Sequence, residues 1–261
     1  MIPQILHQMW FDKIDYDNET APKKYPQYVE YTQKWRQLNP EMTYMFWNGR
    51  RIEELWKHPR LSKWKSFFHS LARHIEKCDY SRYAILYLYG GVYIDLDFIP
   101  LKPIKPLLQN RKFGWCYEPS AHQEPMDEGY SRISNGFLMS TKDHPIWPQL
   151  LDVIMLNYDP NGNVLLNTGP TRLSRFARTH KIPQHYFIDT CLIIPVDVNG
   201  NTTCENSLES AYCYTRWYEG TQWWNDNNKV FLQLSSSNIV FIVVILIILI
   251  IVGYIYLTNR V

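Results

Sequence analysis

The chain has 261 residues, 46% hydrophobic and 20% charged, with 27 Lys+Arg against 25 Asp+Glu for a formal net charge of +2. An aromatic content of 15% excludes a disordered chain, and the balanced charge excludes a general nucleic-acid binder, which carries a basic excess or stripe. The 5 Cys are too few and too scattered for a disulfide scaffold and lack zinc spacing, although a bridge such as Cys204–Cys213 is open to them.

The amino-terminal stretch has no basic leader, and Gln4, His7 and Gln8 interrupt its apolar run, so it does not read as a signal peptide. Ile2–Trp10 reads as a short strand, in which His7 is a satisfied strand histidine. Pro22–Leu38 reads as a helix anchored by Tyr28, Tyr31 and Trp35, and Thr43–Trp47 as a strand by its β-branched and aromatic content. The spacing predicts one long helix over Ser66–Leu88, because Leu71, Ile75, Cys78, Ile85 and Tyr89 recur at three- and four-residue steps. Arg82 falls inside that stripe. A buried guanidinium needs an acidic partner, and Asp79 lies three residues earlier on the same face.

Gly90-Gly91 then stops the helix, since glycine takes the left-handed cap without a Cβ clash. Val92–Asp95 is a strand, followed by Phe113–Tyr117 and Gly136–Ser140. Ile146–Leu156 and Thr171–His180 read as helices, and Ile193–Val196 as a late strand. Strands alternating with helices predict a mostly parallel sheet covered on both faces, as one α/β domain over residues 1–225. Residues 226–238 read as a polar stalk. Ile239–Leu257 carries no charge and matches the roughly 20 apolar residues that span a bilayer, with Tyr254 and Tyr256 as interfacial anchors. The chain is therefore expected to be single-pass, with a carboxy-terminal membrane helix. Lys229 and Arg260 flank that span and give no bias to its orientation.

The chemistry sits in Asp79–Pro100. Val92-Tyr93-Ile94 leads straight into Asp95-Leu96-Asp97, and in open α/β sheets ligands bind beyond the carboxyl ends of strands. Two carboxylates at i and i+2 there are hard oxygen ligands suited to Mg²⁺ or Mn²⁺. An ion held by them would stabilise a departing diphosphate. A lone D-x-D is common; helix, Gly-Gly, apolar strand and D-x-D in order is specific.

That segment resembles the core of glycosyltransferase family 32, the mannosyltransferases and capsular or sphingolipid sugar transferases with the pattern S-D-x-x-R-Y-x-x-L-x-x-x-G-G-x-Y-x-D-x-D. Asp79, Arg82, Tyr83, Leu86, Gly90, Gly91, Tyr93, Asp95 and Asp97 occupy its positions, and only the leading Ser differs, being Cys78. Ile2–Trp10 resembles the family's opening strand, Ile133–Ser140 with His144-Pro145 its N-x-x-x-x-S…HP segment, and Thr168-Gly169-Pro170 its T-G-P turn. Near the end the family carries a His, where this sequence has Thr215.

The resemblance implies a Rossmann-like nucleotide-diphospho-sugar transferase domain (GT-A type) and retaining transfer of a hexose to a glycan or lipid acceptor. The donor would be GDP-mannose or a UDP-hexose. Asp97 would bind Mn²⁺ or Mg²⁺ directly and Asp95 the ribose or a metal-bound water. Asp79, Arg82 and Tyr83 would meet the nucleotide-sugar. Trp10 would stack on the base, Asn135 would bind sugar hydroxyls, and Trp223 would cover the donor. Glu118, Glu124, Asp127 and Glu128 read as a mostly solvated acidic loop on the acceptor side. Two alternatives stand beside this reading. A haloacid-dehalogenase-type phosphotransferase wants Thr or Val where Ile99 stands. An inactive membrane scaffold of the same fold would be suggested by Thr215.

Overall fold

The computed structural model describes residues 1–11, 17–22, 25–122, 127, 129–197, 200–204 and 207–215. The expected stalk, the expected membrane span and Trp223 lie outside the described residues. Among the described residues no helix is long and apolar enough to cross a membrane.

The chain runs β1 (Ile5–Met9), α1 (Pro26–Leu38), β2 (Thr43–Trp47), α2 (Gly49–Leu55), α3 (Ser62–Ser70), α4 (His74–Tyr89), β3 (Gly91–Ile94) and β4 (Phe98–Pro100). It continues through α5 (Lys105–Leu108), β5 (Phe113–Tyr117), β6 (Ile133–Ser140), α6 (Ile146–Leu156), α7 (Val164–Asn167) and α8 (Pro170–Thr179). It then passes through β7 (Phe187–Ile188), α9 (Thr190–Ile193), α10 (Ser207–Ser210) and β8 (Cys213–Thr215). A six-stranded sheet has the order β2-β1-β3-β6-β5-β7, and β4 pairs with β8 in a separate ribbon.

The six-stranded sheet is mostly parallel, as expected, with β5 and β7 also paired in parallel and β6 as its one antiparallel strand. β1 pairs in parallel with β2 and β3, but β6 lies antiparallel to both β3 and β5. A parallel β5–β6 pair would need a crossover connection; an antiparallel one does not. Side-chain alternation splits the core between the two faces. Tyr93, Leu138 and Trp115 join a cluster with Tyr80, Tyr83 and Trp147, whereas Val92, Ile94, Phe137 and Met139 face Trp35 and Phe98. The α/β/α layering expected from the alternation of elements therefore holds.

The expected long helix is two. α3 stops before Leu71, whose backbone is extended (ψ 123°), and α4 restarts after Arg73, whose N–H donates to Glu76 Oε2 at 3.2 Å. The expected stripe also differs. Ile75, Cys78 and Tyr89 are only half-buried, while every residue from Asp79 to Leu86 is buried. α4 is wrapped by core on all sides, which brings Asp79 and Arg82 into the interior.

Gly90 (φ 64°) ends α4 in the left-handed region, and a Cβ there would lie 2.4 Å from the Lys142 backbone nitrogen. Both the conformation and the close approach require glycine. His7 is fully enclosed as expected. Trp47 Nε1 donates to its Nδ1 at 3.1 Å, so Nε2 carries the proton and donates to the Gly90 carbonyl at 2.8 Å. Burial lowers its pKa from 6.5 to about 4. The unfolded chain thus takes up a proton that the fold refuses, and stability falls as pH drops from 6.5 towards 4. The full loss is about 3 kcal/mol. Denaturant titrations at pH 7 and pH 4.5 will show a larger acid loss in the parent than in His7→Gln; equal losses would refute the assignment.

Two further expectations are corrected. Ile193–Val196 is the end of α9 followed by irregular chain, with only Val196 in an isolated bridge to Thr202. The disulfide joins Cys191 and Cys204, not Cys204 and Cys213. Cys213 is a free, buried thiol on β8 directed at the Ile193 carbonyl, 3.6 Å away, because its strand position faces the core.

Candidate active site

The site forms where α4, the carboxyl end of β3 and the start of β6 meet. Arg82 is its hub. Its Nη1 lies 2.7 Å from Asp79 Oδ1 and its Nη2 3.0 Å from Asp95 Oδ1. The guanidinium also sits over the Tyr93 ring, 5.3 Å from its centre. Burial works against the Arg82 charge, but Asp95, Tyr93 and Asp79 more than offset it and hold the group protonated.

Asp79 is fixed from three sides. Besides Arg82, it accepts from Asn135 Nδ2 at 3.0 Å and from Thr168 Oγ1 at 2.8 Å. Burial pushes its carboxyl up to about 6 against the opposing pull of Arg82 and Thr168. Asp95 accepts from the Tyr93 hydroxyl at 2.8 Å through Oδ1, and its backbone N–H donates to the Gly136 carbonyl at 2.8 Å. Its second oxygen faces Gly136, where a Cβ would come within 2.9 Å. Glycine at 136 keeps that oxygen accessible.

Asp97 differs from its partner. Its Oδ2 accepts from Thr215 Oγ1 at 3.2 Å, while Oδ1 is shielded from solvent and has no hydrogen-bond partner among the described residues. Burial, then the Asp95 charge, raise its carboxyl to about 7. A shielded, unpaired carboxylate oxygen beside a second carboxylate is costly unless a cation or proton answers it. Among the described residues no group of three or more His, Cys, Asp or Glu could hold a metal. Two carboxylates and one hydroxyl nevertheless fit a Mg²⁺- or Mn²⁺-type ion that takes its remaining oxygens from water and substrate phosphates. Thr215 reaches this place because β8 pairs with β4, Phe98 opposite Thr215. The exchange of His for Thr thus leaves a polar contact on Asp97. Thr215→Val, close in volume, is expected to weaken Mn²⁺ binding roughly tenfold with little change in folding. A Mn²⁺ titration of the two proteins checks this.

Sequence reasoning placed Asp79, Arg82, Asp95, Asp97 and Asn135 together, and the structure gathers all five. It sets Tyr83 elsewhere: that ring is fully buried against Trp147, and its hydroxyl donates to the Thr168 carbonyl at 2.8 Å. Tyr83 supports the residue that holds Asp79 and has no surface to offer a donor. Trp10 is half-buried and packs edge-on against Tyr25 at 5.5 Å, with Tyr28 6.2 Å away. Burial, then the Asp97 charge, raise the Tyr28 hydroxyl pKa, which places this aromatic group beside the carboxylates. Sequence reasoning missed the roles of Tyr93, Thr168, Gly136 and Tyr28. The first three stood inside recognised motifs, which was the available signal.

The acidic loop is not solvated where it is described. Glu118 and Asp127 are buried, with Glu118 Oε2 2.6 Å from Arg132 Nε and Asp127 Oδ1 accepting from Thr171 at 2.6 Å. Glu124 and Glu128 lie outside the described residues.

Residues 26–114 match the glycosyltransferase sugar-binding region containing DXD motif. The chain is similar to an uncharacterized glycosyltransferase of Acanthamoeba polyphaga mimivirus, at 24% identity over 83% of this chain and 84% of that protein. It is also similar to inositol phosphoceramide mannosyltransferase 1 of Schizosaccharomyces pombe, at 28% identity over 91% of this chain and 67% of that one. Among solved structures, the PaToxG glycosyltransferase superposes with a TM-score of 0.50 at 16% identity, covering 69% of this chain and 70% of that chain. The last likeness shows the fold.

Proposed function

We propose that this chain, which carries the DXD-containing sugar-binding region over residues 26–114, is a membrane-anchored, metal-dependent hexosyltransferase of the family 32 type. The donor is a nucleotide-sugar with mannose favoured, and transfer retains the anomeric configuration. Its parts are a catalytic domain over residues 1–225, a polar stalk over 226–238 and a membrane helix over 239–257. One observation carries the reading: Asp97 keeps a shielded oxygen, unpaired among the described residues, beside Asp95 at the carboxyl end of β3. The mannosyltransferase named among its relatives supports mannose as the sugar.

Asp95 and Asp97 would hold a divalent cation, which neutralises the departing diphosphate. Arg82 adds a fixed positive charge on the same side, already oriented by Asp79 and Asp95. Asp79 and Asn135 present acceptors and donors to sugar hydroxyls. Trp10, with Tyr25 and Tyr28, offers aromatic surface for a flat base. Asp79 accepts from Asn135 and Thr168, so the sugar meets groups already aligned.

The test is a screen of nucleotide-sugars with the full chain in detergent, reading Mn²⁺-dependent hydrolysis or transfer. Turnover of one donor, abolished by chelation, supports the reading. Neither donor binding nor turnover with any hexose donor would overturn it.

A further inference from the structure

Thr168 reaches Asp79 Oδ2 from the turn between α7 and α8, so its hydroxyl is in place only if that turn is fixed. One face of α4 fixes it. Glu76, Asp79 and Tyr83 stand there at i, i+3 and i+7. The Tyr83 hydroxyl donates to the Thr168 carbonyl at 2.8 Å, and Asp79 accepts from the Thr168 side chain at 2.8 Å. Glu76 takes the residue before: Asn167 Nδ2 donates to its Oε1 at 3.0 Å.

Glu76 is fully enclosed. Among the described residues four donors converge on its carboxylate, two on each oxygen. Arg73 Nη2 and Asn167 Nδ2 meet Oε1 at 2.7 and 3.0 Å. The Arg73 N–H and the Tyr158 hydroxyl meet Oε2 at 3.2 and 2.9 Å. Asn167 is held as fully. Its Nδ2 also donates to the Asp159 carbonyl at 2.7 Å, and its Oδ1 accepts from the Asp159 N–H at 3.2 Å. Asn167 is buried as well, so neither side chain has surface to offer a substrate.

Stability alone does not call for a carboxylate here, because an apolar side chain of similar volume fills such a place without the cost of dehydrating a charge. What the carboxylate adds is direction: charge-assisted hydrogen bonds are short and set the orientation of the groups that make them. We propose that Glu76 is a positioning residue for sugar transfer, which through Asn167 fixes the turn that brings the Thr168 hydroxyl to Asp79. The inference rests on the transferase reading, in which Asp79 meets the sugar, and adds to it a residue that touches no substrate.

The experiment uses the full chain in detergent. Glu76→Leu and Asn167→Ala cut the link from its two ends, and Thr168→Val removes the hydroxyl that the link places. Mn²⁺-dependent hydrolysis of GDP-mannose and UDP-glucose is measured for the parent, the single variants and both doubles with Thr168→Val. Each of the first two substitutions is expected to lower kcat about tenfold, the worth of one hydrogen bond. Binding of GDP or UDP, which lack the sugar, should not change. In the Thr168→Val background neither substitution should lower kcat further, since the group it would misplace is gone. An equal second loss in that background, as a merely structural role would give, overturns the inference. So does an unchanged kcat in both single variants, or a matching loss of GDP or UDP affinity. Should Glu76→Leu fail to fold, Asn167→Ala, which keeps the carboxylate, decides alone. Hydrogen exchange gives a readout free of activity. The Asn167 and Thr168 amides should exchange at least about tenfold faster in the variants, relative to the amides from Asp79 to Leu86, which register any global loss of stability. No such change overturns the inference. If the parent turns over no donor, the transferase reading falls by that result, and exchange still decides whether Glu76 holds the turn.

Discussion

Asp97→Ala is expected to lower sugar transfer by a factor on the order of 10³ or more, with no loss of stability. The two halves of that outcome share one cause. The Asp97 carboxyl is pushed up to about 7, and its Oδ1 has no partner among the described residues, so the folded chain pays to keep it charged at neutral pH. Alanine removes that cost together with the carboxylate proposed to hold the cation. The Thr215 hydroxyl loses its acceptor, a smaller penalty of about 1 kcal/mol. Thermal denaturation without metal should give a midpoint at or above that of the parent, and Mn²⁺ should raise the midpoint of the parent only. A variant that loses activity because it unfolds would contradict the role given to Asp97.

Arg82→Ala carries the largest expected loss of stability, about 3–5 kcal/mol, because it leaves Asp79 and Asp95 facing each other without their shared cation. The sign of its pH dependence identifies the mechanism. Asp79 is already raised to about 6 with Arg82 present, and without it Asp79 goes higher. The folded variant then binds more protons than its unfolded chain above the ordinary carboxylate range, so its stability falls as pH rises. The deficit relative to the parent should be larger at pH 8 than at pH 5, measured by urea titration. A deficit independent of pH would mean that lost packing, not uncompensated charge, is the cause. Arg82→Lys is not expected to rescue, since one ammonium cannot reproduce the fork that reaches two carboxylates and lies over Tyr93.

What the sequence made legible was local. Asp79 and Arg82 are three residues apart on one helix, and their pairing follows from helical geometry alone. The Gly90-Gly91 stop and the strand running into Asp95 are equally short-range. The contacts that complete the site span the chain: Asn135 to Asp79, Thr168 to Asp79 and Thr215 to Asp97 are 56, 89 and 118 residues apart. They depend on strand order, which hydrophobic pattern does not encode. The antiparallel return of β6 was hidden for the same reason, since all eight of its residues are buried and its period carries no direction. The surroundings of α4 escaped because a helix enclosed on every side has no polar face to reveal its orientation. The bridge between Cys191 and Cys204 depends on how the irregular chain after α9 folds back, and spacing cannot choose among five cysteines.

That enclosure of α4 also decides how the site breathes. The amides from Asp79 to Leu86 lie in a run of α4 whose eight residues are all buried, so fraying and surface opening are expected to contribute little to their hydrogen exchange. Their exchange follows the global unfolding equilibrium and belongs to the slowest cooperative unit of the domain. Asp79 and Arg82 thus belong to the enclosed part of the domain. Packed less tightly around that run stand Trp10, half-buried, and Asp95, which keeps part of its surface exposed.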